Sequence, residues 1–182
     1  MTPPEPFLGD TVHTPVRHHI LSVLVENKAG VLARIAGMFA RRGFNIYSLA
    51  VAPAESDARF SRVTIVVDAE SAPLEQIVGQ LDKLVNVVAI TDLSPQDALE
   101  RELLLATVPV DDASRGRLLD LAAGAGASIV DVDGAALTVM LAGTPGACDA
   151  LERSLESFPD VELHRTGRVA LPRLGRTATH EE

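Results

Sequence analysis

The residues best placed to do chemistry lie in one stretch, residues 26–46, reading ENKAGVLARIAGMFARRGFNI. Gly30 stands where a polar turn passes into an apolar-periodic segment, and Asn27 precedes it by three residues. A helix start leaves backbone N–H groups unpaired and carries partial positive charge, so it suits a carboxylate or a phosphate. Glycine lets a ligand come close to the backbone, and an asparagine amide both donates and accepts. The same two residue types also make plain tight turns, and chemistry alone leaves both readings open. Other reactive groups are sparse. The histidines at 13, 18, 19, 164 and 180 show no paired ligand spacing, and strand alternation sends His18 and His19 to opposite faces. Cys148 is alone, which rules out an internal disulfide and leaves no cysteine cluster for zinc. It reads as a small packed side chain in a reducing cytoplasm. No Ser-His-Asp or Cys-His arrangement can be assembled, so neither a metal site nor catalysis by this chain alone is expected.

The elements that must hold the stretch follow from its periodicities. Leu32, Ile35, Ala36 and Phe39 recur at helical spacing, Arg41 and Arg42 favour the last turn, and Gly43 supplies a stop, giving a helix over residues 30–42. Strands are expected at residues 18–26, 45–53, 59–68 and 85–93, the second and third as a hairpin. A second helix begins near Pro73, with Ser71 as its cap and Leu74, Ile77, Val78 and Leu81 on one face. The order is βαββαβ, the split βαβ or ferredoxin-like unit.

The pattern then repeats. Residues 101–110 read as a strand, and Asp111 or Asp112 caps a helix ended by Gly124-Ala125-Gly126. Residues 128–133 and 136–142 pair around Asp133-Gly134, a favoured hairpin dipeptide. Thr144 and Pro145 open a helix carrying Ala147, Leu151, Leu155 and Phe158, and residues 160–169 close the unit. The expected class is therefore α+β, two tandem ferredoxin-like modules at residues 17–94 and 95–170. A Pro-rich mobile tail is expected over residues 1–16 and a loose tail over 171–182.

Composition narrows the function classes. The chain has 182 residues, 47% of them hydrophobic, and a net charge of −9. Residues 17–94 are neutral overall, whereas residues 95–168 carry six basic and thirteen acidic side chains. No basic face for nucleic acid results, and 3% aromatic residues cannot supply the stacking platform of an RNA-binding βαββαβ module. A small phosphatase on this topology would need Gly30, Arg34 and Asn45 around a phosphate, but Arg34 reads as a solvated helix residue and no general base is in view. No apolar run approaches the roughly 18 residues that span a bilayer, and MTPPEPFLGD lacks the basic and apolar regions of a secretory signal. An open four-stranded sheet with helices on one face leaves a bare face and exposed edges, which self-association covers. A dimer is expected.

At a finer level the chain resembles a known family. HHILSVLVENKAGVLARIAGMFARRGFNIYSLAVAP, SRVTIVV, QLDKLVNVVAITDL, RELLLATV, IVDVDGAALTVMLAGTPGACDAL and GRVALPRLGR resemble, across residues 17–176, the regulatory small subunit of acetolactate synthase, also called acetohydroxyacid synthase. The first module then looks like an ACT domain. The resemblance implies a cytoplasmic chain with no cofactor and no catalytic site of its own. Its implied partner is a catalytic subunit carrying thiamine diphosphate, Mg2+ and FAD, which condenses two pyruvates to 2-acetolactate or pyruvate with 2-oxobutyrate. The small subunit of that family activates the enzyme and confers feedback inhibition by valine, the effector sitting between two ACT domains. Carried over, the site comprises Asn27, Ala29, Gly30, Val31 and Leu32 of one copy with Asn45 and Ile46 of its neighbour. Valine, leucine and isoleucine remain open as effectors. A free-standing tandem sensor serving another enzyme or a repressor is the alternative.

Overall fold

The computed structural model describes residues 18–54, 57–68, 73–93, 97–175 and 179–180. The expected N-terminal tail and the Ser71 cap lie outside them. Strand β1 (His18–Glu26), helix α1 (Val31–Arg42), strands β2 (Ile46–Pro53) and β3 (Phe60–Asp68), helix α2 (Leu74–Leu81) and strand β4 (Val87–Leu93) form the first unit. Helix α2 starts at Leu74 with Pro73 in the cap position. Strand β5 (Ala98–Pro109), helix α3 (Asp112–Ala125), strands β6 (Ser128–Val132) and β7 (Ala136–Gly143), helix α4 (Pro145–Leu155) and strand β8 (Glu162–Arg165) form the second. Two short strands follow, β9 (Val169–Pro172) and β10 (Thr179–His180).

Each unit is an antiparallel sheet with two helices on one face. The first sheet runs β10-β4-β1-β3-β2 and the second β6-β7-β5-β8. Strand alternation sends Leu21, Val23 and Val25 of β1 toward the helices, where they meet Ile35, Met38 and Phe39 of α1 and Ile77 and Leu81 of α2. The second core repeats the plan with Leu104, Ala106 and Val108 of β5 against Leu118, Leu151 and Leu155. Phe158, read as part of the helical stripe, lies beyond the end of α4 and still enters this core. Cys148 is fully buried in the same core, and burial pushes its thiol pKa up, so it packs rather than reacts.

The ends of the second unit depart from expectation. The predicted loose tail from residue 171 is in part strand: β9 reaches Pro172, and β10 adds an edge strand to β4. Strand β5 also begins at Ala98, three residues earlier than its apolar run suggests, because residues 98–101 find a partner in β9. Between the β5 pairings with β8 and β9, Glu102 and Leu103 stand opposite Thr166, Gly167 and Arg168, a one-residue bulge. The ribbon formed by β9 and the start of β5 lies on the helix-free face of the first sheet. Ile20, Val66 and Leu93 pack there against Ala98 and Ala170. The face expected to be bare is thus partly covered by the chain's own second half.

The bulge is also where the two units lock together. Gly167 adopts φ +79°, and a Cβ there would lie 2.6 Å from Ser48 Oγ. The next residue, Arg168, donates its backbone N–H to Ser48 Oγ at 2.8 Å and sets its guanidinium 5.1 Å from the Tyr47 ring centroid. It also pairs with Glu102 at 3.1 Å and Glu100 at 3.3 Å. Arg165 holds the other Glu102 oxygen and reaches Asp149 at 2.7 Å and Glu152 at 3.0 Å. Burial alone would lower the Arg165 pKa, but hydrogen bonds to Asp149 and Glu102 outweigh it and hold the guanidinium above its ordinary value.

Two outcomes follow from this joint. Gly167→Ala is expected to lower stability by about 1–3 kcal/mol in urea unfolding, since it combines a left-handed φ with a steric contact. That cost should shrink in a Ser48→Ala background, where the clashing oxygen is gone. His18 packs against Tyr47 with ring centroids 4.2 Å apart and the planes tilted by 46°, and its pKa is lowered from its ordinary value by burial and then by Arg168. The folded state therefore resists its protonation. Stability is full above the unfolded pKa and falls as pH drops through it, so His18→Gln should flatten the loss as pH falls through the ordinary histidine range in parallel denaturation curves.

Candidate functional site

Strand β1 ends at Glu26, and the chain turns through residues 27–30 into α1. Asn27 N–H donates to Arg59 O at 2.6 Å, and its Nδ2 donates to Ala58 O at 3.0 Å. The turn is thereby fastened to the β2–β3 connection, and the amide offers its Oδ1 as an acceptor. Gly30 occupies the N-cap position at φ +84° with no side-chain cap. Among the described residues no side chain takes up the first-turn N–H groups of α1, so they keep their electrostatic pull on an anion.

A polar chain stiffens the other flank of the turn. Lys28 Nζ pairs with Glu26 Oε1 at 2.9 Å. Asn86 bridges inward, its Nδ2 donating to Glu26 Oε2 and its Oδ1 accepting from Arg34 Nη1. Asn86 O also accepts from Glu26 N–H at 2.9 Å. The hydrogen bonds from Lys28 and then Asn86 hold the Glu26 carboxyl below its usual range. Arg34, read from the sequence as solvated, is exposed as expected and in addition clamps α1 to the start of β4 through Asn86. It is committed to the turn rather than aimed at a phosphate. Asn86 and Glu26 were missed by sequence reasoning. The one available signal was a polar residue interrupting the apolar run at residues 85–88.

The predicted site residues divide into two groups. Asn27, Ala29 and Gly30 are exposed, Leu32 is 43% exposed, and Val31 turns into the core. Asn27, Val31 and Leu32 border a cleft of about 70 Å³ that Val51 also lines, and Ala29 and Gly30 lie outside its lining; the volume is far below the roughly 300 Å³ at which small-molecule pockets begin. Asn45 and Ile46 follow the Gly43 stop at the opposite end of α1, Asn45 exposed and Ile46 half-buried against the first core. The twelve residues of α1 run between Gly30 and the Gly43 stop that precedes Asn45, which is about 18 Å of rise. One chain does not bring them together.

Fold and turn define a class: a tandem ferredoxin-like protein whose first unit is an ACT domain. The family model described as "AHAS small subunit-like ACT domain" matches residues 21–89, and the one described as "Small subunit of acetolactate synthase" matches residues 101–174. The acetolactate synthase small subunit of Mycobacterium bovis is 48% identical over 155 residues, covering 85% of this chain and 92% of that protein. The chloroplastic acetolactate synthase small subunit 2 of Arabidopsis thaliana is 45% identical over 90% of this chain, which spans 34% of the plant protein. The crystal structure of the acetolactate synthase small subunit from Thermotoga maritima superposes with a TM-score of 0.81 at 34% identity, covering 88% of this chain and all of that one. The chain belongs to the acetolactate synthase small-subunit family, and its role by kind is that of a regulatory partner to a catalytic subunit. No helix among the described residues is long and apolar enough to cross a membrane.

The clamp around the turn makes its own prediction. Asn86→Ala removes the bridge between Glu26 and Arg34, and urea unfolding should show a loss of about 1–3 kcal/mol. An unchanged midpoint would mean that the bridge does not hold the turn.

Proposed function

We propose that this chain is the cytoplasmic regulatory small subunit of an acetolactate synthase. It raises the activity of a catalytic subunit that uses thiamine diphosphate, Mg2+ and FAD to form 2-acetolactate and CO2 from two pyruvates. It also makes that enzyme answer to valine, an end product of branched-chain amino-acid synthesis. The effector site is shared by two copies: Asn27, Ala29, Gly30, Val31 and Leu32 from one, Asn45 and Ile46 from the other. The observation that carries this reading is the uncapped helix start beside a fastened amide, with its complementary residues about one helix length away.

The chemistry supports valine in that place. Its carboxylate takes the first-turn N–H groups near Gly30 and the positive end of α1. Its ammonium needs acceptors, and the Asn27 Oδ1 and the second copy's Asn45 amide oxygen are of the right kind. Its isopropyl group lies against Leu32 and the second copy's Ile46, with Val31 as the floor. A ligand shared by two copies favours whichever arrangement brings its halves together, and only such differential affinity shifts a population. Valine thereby tightens the dimer into a form that holds the catalytic subunit in a poorer geometry.

The test uses the enzyme reconstituted from both subunits. Asn27→Ala should raise the valine concentration for half-inhibition about ten- to a hundredfold, the equivalent of one lost hydrogen bond to a charged group at roughly 1.5–3 kcal/mol. Gly30→Asp places a negative charge where the carboxylate sits and should abolish inhibition while activation persists. Valine inhibiting both variants at the parent concentration would place the site elsewhere.

A further inference from the structure

An apolar cleft of about 300 Å³ lies away from the turn, between the two units. Its floor is the helix-free face of the first sheet at Ala50, Ala52 and Thr64. Its wall is the outward face of the β5–β9 ribbon, where Leu99 pairs with Leu171 and Arg101 with Val169. The aliphatic residues of this corner stand unusually open: Leu99, Val169, Leu171 and the adjoining Val51 are 41–60% exposed. Packing of the ribbon against Ile20, Val66 and Leu93 shuts the other end of the same face.

Two guanidinium groups meet at this cleft. Arg62 donates to Ser22 Oγ at 3.0 Å, and Arg101 donates to the backbone oxygen of Glu100 at 2.7 Å. Neither has a carboxylate partner among the described residues, whereas Arg59, Arg165 and Arg168 all do. A guanidinium presents a planar fork of donors that matches a carboxylate, and one neutral hydrogen bond leaves most of that capacity unused. The polar cleft nearby, bordered by Glu102, Glu152 and Arg165, offers no such capacity because its charges are already spent on each other.

Aliphatic walls closed by a cationic rim are complementary to a molecule with an apolar tail and one anionic head. We propose that this cleft is a second small-molecule site, for a branched aliphatic monocarboxylate whose tail lies between Ala50 and Leu171 and whose head meets Arg62 and Arg101. It lies between the units, where ligand sites commonly form, and it is independent of the amino-acid site at Gly30.

The probe is 4-methylpentanoate, titrated into the full-length chain and followed by calorimetry and by the methyl resonances of Leu99, Val169 and Leu171. Its control is 3-methylbutylamine, which has a similar tail and a cationic head. The carboxylate should saturate and shift those methyls; the amine should do neither. Arg62→Gln and Arg101→Gln should each weaken binding about ten- to a hundredfold, with unfolding midpoints confirming that both variants fold. Gly30→Asp should bind the carboxylate as the parent does, which separates this cleft from the valine site. Equal response to both probes, binding insensitive to the two arginine variants, binding lost in Gly30→Asp, or methyls that no probe reaches because a second copy or the catalytic subunit covers them would each overturn the proposal.

Discussion

The carboxylate of Glu102 is the point on which the rest of the structure depends. It is 4% exposed, the one acidic residue among the described residues that is buried as a whole. An ionised carboxylate at such a depth is tolerable only when its oxygens are matched by cations. Arg165 takes one oxygen and Arg168 the other, and these two residues flank the bulge at Gly167. Satisfying Glu102 therefore sets where β8 ends and β9 begins. The same bulge brings Arg168 and Gly167 onto Ser48 and Tyr47 of the first unit. One buried charge thus fixes the register of the second sheet's last strand and its seat on the first sheet.

That joint puts two features of the first unit in mechanical contact with the second. Strand β2 opens with Ile46, and its next two residues are Tyr47 and Ser48, which meet the bulge. A change in how the start of β2 is held reaches the second unit through a hydrogen bond, a cation–ring contact and a close approach of backbone. The opposite end of α1 is held differently, by the chain of Lys28, Glu26, Asn86 and Arg34. There the turn is tied down and the helix start has no side-chain cap, the combination on which the proposed amino-acid site rests.

Much of this was legible in the sequence, for a definite reason. Helix α1 is called by four apolar residues at helical spacing, two arginines in its last turn and a glycine stop. The structure has that helix at Val31–Arg42, with Gly43 at φ +69°. The β2–β3 and β6–β7 hairpins follow from period-two runs broken by turn residues. Local pattern and global fold agree in these places, so short-range rules suffice. The candidate site was legible only as a list. Asn27 and Gly30 were named and Arg34 was read as solvated, but its bond to Asn86 was not visible because that partner lies 52 residues away.

What the sequence determined by itself is the repertoire of elements and their doubling: two βαββαβ units, each apolar on one face, with a glycine-opened helix in the first. These are set by interactions within a turn or two of chain, which spacing encodes directly. The tertiary structure alone decided that residues 98–101 and 169–172 form a ribbon lying on the first sheet. It alone decided that Glu102 is buried, and that Arg62 and Arg101 share an apolar cleft. Each of those depends on pairing residues tens of positions apart. A strand's partner and a charge's counter-ion are chosen by what else is nearby in space, and no local spacing carries that information.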